Sequence, residues 1–208
     1  MKEHMNQKPM NQQPVNQEQI NQEAVKAIFI ESQALLEGHF RLTSGKHSRQ
    51  YVQCAQVLKY PWHTETLVGA LKAKLTGTCD LVVGPAMGGV IVAYEMGRQL
   101  GVPALFTERE DGKMKLRRGF TIQPGQRVLV VEDVITTGGS VQEAIECVQE
   151  AGGIVEAAAV LVDRSGGSHV LQVPVTSLLQ LTIETFDPET CPLCRHSQPV
   201  KPGSRQLT

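Results

Sequence analysis

Residues 127–140 read RVLVVEDVITTGGS, and the meaning of this stretch decides the fold. Residues 127–131 are nearly continuous in apolar character, as in a strand covered on both faces of a parallel sheet. Behind the stretch, Val141, Ala144, Ile145 and Val148 recur at helical spacing. A helix is therefore expected over residues 138–151, stopped by Gly152 and Gly153. The residues between strand and helix carry the chemistry. Gly138 and Gly139 let the backbone come close to a ligand, and the helix start offers free N–H groups at its positive end. Thr136, Thr137 and Ser140 add hydroxyl donors, which makes a pocket for a phosphate monoester. Glu132 and Asp133, just beyond the expected strand end, are free to turn the same way. Carboxylates accept hydrogen bonds from a sugar diol and can approach Mg²⁺. A phosphate cradle beside a diol acceptor describes a ribose 5-phosphate site. A plain helix cap would explain one hydroxyl but not the adjacent acids. The chain has no GxxxxGK[ST] and no GxGxxG after a strand, which argues against the common nucleotide and dinucleotide loops.

Outward from this stretch, short apolar runs alternate with amphipathic ones. Strands are expected at residues 80–84, 103–106, 154–162 and 178–183, and helices at 24–36 and 61–75. A further helix carries Val90, Ala93, Tyr94 and Gly97 on one face, and residues 40–58 suggest a small hairpin. The pattern predicts an α/β fold: a mainly parallel sheet with helices on both faces, plus a small N-terminal hood. Ligands of such sheets bind beyond the carboxyl ends of the strands, here just after Val83, Phe106, Val131 and Val162.

The chain of 208 residues suits one domain. Residues 1–23 repeat Asn-Gln pairs every five residues and read as a disordered tail. The domain is expected over residues 24–190, with the hood within 24–60, and a C-terminal extension over 191–208. A formal net charge of −1 predicts no nucleic-acid partner. No apolar run suits a membrane span or a secretory signal, so the expected location is the cytoplasm. Of five cysteines, Cys54, Cys79 and Cys147 are isolated, as free thiols usually are. Cys191 and Cys194 form CPLC, with His196 behind. Zinc, a regulatory disulfide and a plain structural turn all stay open there, but zinc needs four ligands and only three candidates lie together.

Residues 128–140 closely resemble the 5-phosphoribosyl diphosphate (PRPP) signature of the type I phosphoribosyltransferases. From about residue 24 onward the chain is similar to the orotate phosphoribosyltransferases among them. The resemblance implies that Glu132 and Asp133 hold the ribose hydroxyls and that Thr136, Thr137, Gly138, Gly139 and Ser140 hold the 5-phosphate. Residues 84–89, GPAMGG, are similar to the family's pyrophosphate loop. Residues 108–118, EREDGKMKLRR, fall where the family has a mobile loop that brings cations to the diphosphate across a dimer interface. Arg109, Lys113 and Lys115 occupy matching cation positions. Gly88 and Glu110 stand where many members have Lys, and Thr43 likewise replaces a Lys in the orotate-type segment at residues 39–48. By the same resemblance Tyr51 packs on the base and Arg164 binds the orotate carboxylate, a contact suited to a two-point guanidinium. His39 and His47 read as turn residues.

The implied reaction is displacement at the anomeric carbon of PRPP by a base nitrogen, in a homodimer with shared sites. Mg²⁺ is carried mainly by PRPP, and Asp133 is the candidate protein contact. Glu132, Asp133 and Lys113 are the expected catalytic residues. A purine phosphoribosyltransferase for xanthine or adenine, or a PRPP-sensing nucleic-acid-binding regulator, shares the signature. The orotate-type segment and Arg164 argue against the first, and the net charge against the second.

Overall fold

Asn21 starts the first helix by accepting the Ala24 N–H on its side-chain oxygen at 2.8 Å. This computed structural model describes residues 20–42 and 44–202; Thr43 and the expected tails at 1–19 and 203–208 lie outside the described residues. Helix α1 (Gln22–Glu31) thus begins inside the stretch that composition assigned to the tail. It also stops short of Leu36. Ser32 Oγ donates back to the Ile28 and Phe29 carbonyls at 2.7 and 3.2 Å, Gln33 takes a left-handed φ of 59°, and Leu35 and Leu36 enter strand β1 (Leu35–Arg41).

Strand β1 pairs antiparallel with β2 (His47–Val52), the expected hairpin. Two helices follow, α2 (Ala55–Leu58) and α3 (Pro61–Lys72), the latter with Pro61 in its first turn. The chain then alternates: β3 (Leu81–Pro85), α4 (Gly88–Leu100), β4 (Ala104–Glu110), β5 (Lys113–Leu116), β6 (Arg127–Ile135), α5 (Gly139–Glu150), β7 (Ile154–Asp163) and β8 (Val175–Gln180). The six-stranded sheet has the order β5-β4-β3-β6-β7-β8, with β5 alone antiparallel. Strand alternation along β6 divides the core in two. Leu129 and Val131 join Val25, Phe29, Leu67, Leu71 and Met96 on one face, while Val128 and Val130 join Val141, Ala144, Ile145 and Val148 of α5 on the other.

Two further expectations need correction. The helix face of Val90, Ala93, Tyr94 and Gly97 is rotated: Val92, Ala93 and Met96 turn inward and Tyr94 is 70% exposed. Close backbone approach sets this rotation, because a Cβ on Gly84 would collide with the Gly89 carbonyl. The charged run at residues 108–118 mostly forms the β4–β5 hairpin around Asp111 and Gly112, both at positive φ (54° and 79°). Strand β6 runs four residues beyond Val131, pairing as far as Ile135 with Asp163.

The hood is built from both ends of the domain. A short strand, β9 (Thr185–Phe186), adds to the free edge of β2, and Val200 bridges to Phe40 on β1. A 3-10 turn (Pro192–Arg195) lies between them. His39 and His47 are buried strand residues, 7% and 6% exposed, not turn residues. Among the described residues no helix is long and apolar enough to cross a membrane.

Candidate active site

The loop from β6 into α5 forms the cradle that its residue types suggest. Gly138 caps α5 at φ 86°, a conformation that favours glycine, and an added Cβ would press on Leu171 at 3.1 Å. Thr136, Thr137, Gly138, Gly139 and Ser140 line a cleft of about 240 Å³ together with Glu132 and Arg109. The sequence reading missed Glu143. It rises from the first turns of α5 and holds Arg109 Nη2 at 2.7 Å, so the cleft's cation is already tethered.

Glu132 and Asp133 stand within β6, not past its end, so alternation by itself would send them to opposite faces. They converge because the first turn of α4 closes on both. A Cβ on Gly88 would collide with the Asp133 carboxylate, and one on Gly89 would meet Glu132 Oε1 at 3.0 Å. This is a physical reason for Gly88: a larger residue there needs Asp133 to move. Glu132 Oε1 accepts the Asp133 N–H at 2.9 Å, and Asp133 Oδ1 accepts the Val134 N–H at 2.7 Å. Burial, and then the charge of Asp133, push the Glu132 carboxyl up to about 9. Burial raises Asp133 as well. Two acids held this way favour whatever supplies protons or positive charge between them, such as a diol or a cation.

Beyond the acid pair lies the other half of the site. Arg164 follows β7, and its backbone N–H donates to the Ile135 carbonyl at 2.9 Å. Its Nε is buried with no hydrogen-bond partner. Burial pulls this guanidinium below its ordinary value, and the neighbouring Cys54 and Tyr51 partly offset the effect. Tyr51, from β2, packs its ring against Phe40 at 5.8 Å. Cys54 Sγ lies 3.7 Å from the Asp133 carbonyl, and so links the hood to the acid pair. A half-buried guanidinium whose Nε has no partner among the described residues suits a planar anion.

Lys113 and Lys115 are not brought to the cleft. They sit on the hairpin, where Lys115 Nζ holds Glu110 at 2.8 Å and Arg118 holds Glu108 at 2.8 Å. A larger cleft of about 500 Å³ lies on the hood between residues 37–38, 49–50 and 182–184, and it shares no lining residue with the cradle cleft.

The phosphoribosyl transferase domain family matches residues 64–190. The orotate phosphoribosyltransferase of Desulforamulus reducens is 57% identical over 87% of this chain and 96% of its own length. That of Heliobacterium modesticaldum is 57% identical over 86% and 95%. Among solved structures, the orotate phosphoribosyltransferase of Aeropyrum pernix superposes with a TM-score of 0.64 at 28% identity, covering 76% of this chain and 93% of that one. With such identity over nearly the whole length of its relatives, the chain belongs to the orotate phosphoribosyltransferase family of phosphoribosyltransferases.

Proposed function

We propose that this chain transfers the 5-phosphoribosyl group from PRPP to orotate, giving orotidine 5'-phosphate and diphosphate. One observation carries the reading: the phosphate cradle shares its cleft with Glu132 of the acid pair, and Arg164, whose backbone N–H bonds the β6 carbonyl of Ile135, has an Nε without a partner among the described residues. The cradle at residues 136–140 takes the 5-phosphate, with Arg109 released from Glu143. Glu132 and Asp133 accept the ribose hydroxyls and face the ring as it gains oxocarbenium character. Arg164 takes the orotate carboxylate while Tyr51 lies on the ring, which turns the base nitrogen toward the anomeric carbon. A neutral purine would leave the buried Nε of Arg164 without a partner, which favours orotate.

The donor set fits Mg²⁺ arriving with PRPP: Asp133 offers a hard oxygen beside the glycine loop, and other ligands would come from the diphosphate and water. Bound there, Mg²⁺ would neutralise charge on the departing diphosphate. Lys113 and Lys115 act on the diphosphate of the partner subunit in a homodimer. Met87, Ile91 and Tyr94 support the dimer: they are exposed at 85%, 43% and 70% and form a stripe at i, i+4 and i+7 along α4. Five free thiols accord with a cytoplasmic location.

The test is loss of orotate absorbance on mixing the protein with PRPP and Mg²⁺, with xanthine and adenine in parallel. Orotate consumption that needs both PRPP and Mg²⁺ is expected. Diphosphate release with a purine alone would overturn the choice of base.

A further inference from the structure

His39 and His47 come from neighbouring strands of the hood, and Cys191 and Cys194 from the far end of the chain. Their ligand atoms all lie within 4.8 Å of one another. We propose that these four side chains bind a structural zinc ion that pins the C-terminal segment to the hood. The inference is independent of the transferase reading, since no ligand lies in the cleft or among residues 64–190.

The spacing is that of a tetrahedral site. His39 Nε2 is 3.0 Å from His47 Nδ1. Cys191 Sγ is 3.6 Å from His39 Nε2, and Cys194 Sγ is 3.8 and 3.3 Å from His39 Nε2 and His47 Nδ1. Around zinc with ordinary Zn–N and Zn–S lengths, neighbouring ligand atoms sit about 3.3–3.8 Å apart. Small adjustments reach that arrangement. His196, the third candidate from the sequence, is exposed and outside the cluster; the two hood histidines supply the missing ligands.

The surroundings are those of a metal site. His39 Nδ1 faces the Ser197 carbonyl at 2.9 Å and must carry a proton to bond it. Nε2 is therefore bare and aimed into the cluster, the outer hydrogen bond that metal-ligating histidines usually make. Cys191 caps the 3-10 turn and Cys194 lies within it, and the Cys194 N–H donates to the Cys191 carbonyl at 3.3 Å, which brings both sulfurs to one side. Binding displaces a proton from each thiol to solvent. One dication with two thiolates and two neutral imidazoles is uncharged overall, which suits a site where three of the four ligand residues are buried and Cys194 closes the exposed side. All four positions are filled by protein, so the site is structural and leaves no open position for catalysis.

The ion also completes the hood. The segment that holds the cysteines is tied at both ends, by β9 against His47 and Ser48 and by the Val200 N–H to the His39 carbonyl at 2.8 Å. His47 and Tyr51 share strand β2, so the ion steadies the strand that presents the aromatic ring to the base.

The test is elemental analysis of the full chain after tag removal and dialysis against a chelator, with thiol counting under denaturing conditions. About one zinc per chain is expected, falling about tenfold in Cys194→Ser and in His39→Ala but unchanged in Cys147→Ser. Stripping the ion should lower Tm by about 10 °C. If the variants fail to fold, Co²⁺ exchanged into the unaltered protein should give the visible bands of a tetrahedral, thiolate-ligated ion. A preparation that neither holds zinc nor takes up Co²⁺ would overturn the proposal, whether Cys191 and Cys194 are counted as thiols or joined in a disulfide, as would zinc retained in both ligand variants.

Discussion

The two ends of this molecule are organised in opposite ways. At the carboxyl end of the large sheet, the cradle and the acid pair come from nine consecutive residues, 132–140. In the hood, four clustered side chains are gathered from positions up to 155 residues apart. A contiguous motif concentrates function in a loop whose geometry the strand and helix supply. A dispersed cluster concentrates stability, because its members meet only after the chain has folded around them.

That contrast predicts a separation of effects. Asp133→Asn should lower turnover by about 100-fold or more while leaving Tm within a few degrees, since it removes charge from a place where burial already opposes charge. Steady-state rates and a melting curve on the same sample measure this; a large loss of Tm with normal turnover would break the contrast. Arg164→Ala should reduce kcat/KM for orotate by about 10–100-fold, the worth of a charge-assisted pair, with PRPP binding little changed. Titration of PRPP against that variant separates the two. Lys113→Ala should lower kcat by about tenfold and the KM for orotate little, as expected of a cation that acts on the leaving group. Equal changes in both would place Lys113 in base binding instead.

The smallest effect concerns a glutamate that serves the scaffold. Glu95 on α4 is buried like Glu132 but has cationic company. Burial raises its carboxyl, yet bonds from Arg98 Nε at 2.9 Å and Gln99 Nε2 at 2.6 Å prevail and hold it below the usual value of 4.5. A lowered folded value gives stability that is present above 4.5 and lost as pH falls through the folded value. Glu95→Gln should therefore cost a few degrees of Tm at neutral pH, and the difference should shrink as pH falls below 4.5 and through the lowered folded value. A constant difference across that range would show the loss to be packing rather than charge.

Legibility in the sequence follows the same contrast. The alternation of strands and helices, the α5 face of Val141, Ala144, Ile145 and Val148, and the cradle were readable because each depends on residues close in sequence. Tyr94 was misplaced because a two-glycine contact between β3 and α4, not hydrophobic period, sets the helix rotation. The reach of β6 to Ile135 was hidden because acids at a buried strand end look like a loop until pairing with β7 is known. His39 and His47 gave no signal, since eight residues across a hairpin match no familiar ligand spacing. Glu143 looked like an ordinary polar helix position, and only its contact with Arg109 marks it.

The closing of the hood by β9 and Val200 has a consequence for synthesis. As the chain leaves the ribosome, β3 to β7 are complete once Asp163 has emerged, and the PRPP cradle once Val170 and Leu171 have followed to bond Thr137 and pack on Gly138. The sheet that holds Tyr51 lacks its edge strand until residues 185–200 follow. The base side of the site is therefore assembled last, by the latest-made part of the domain returning to the earliest, so truncation near residue 183 removes both β9 and the Val200 bridge while sparing the cradle.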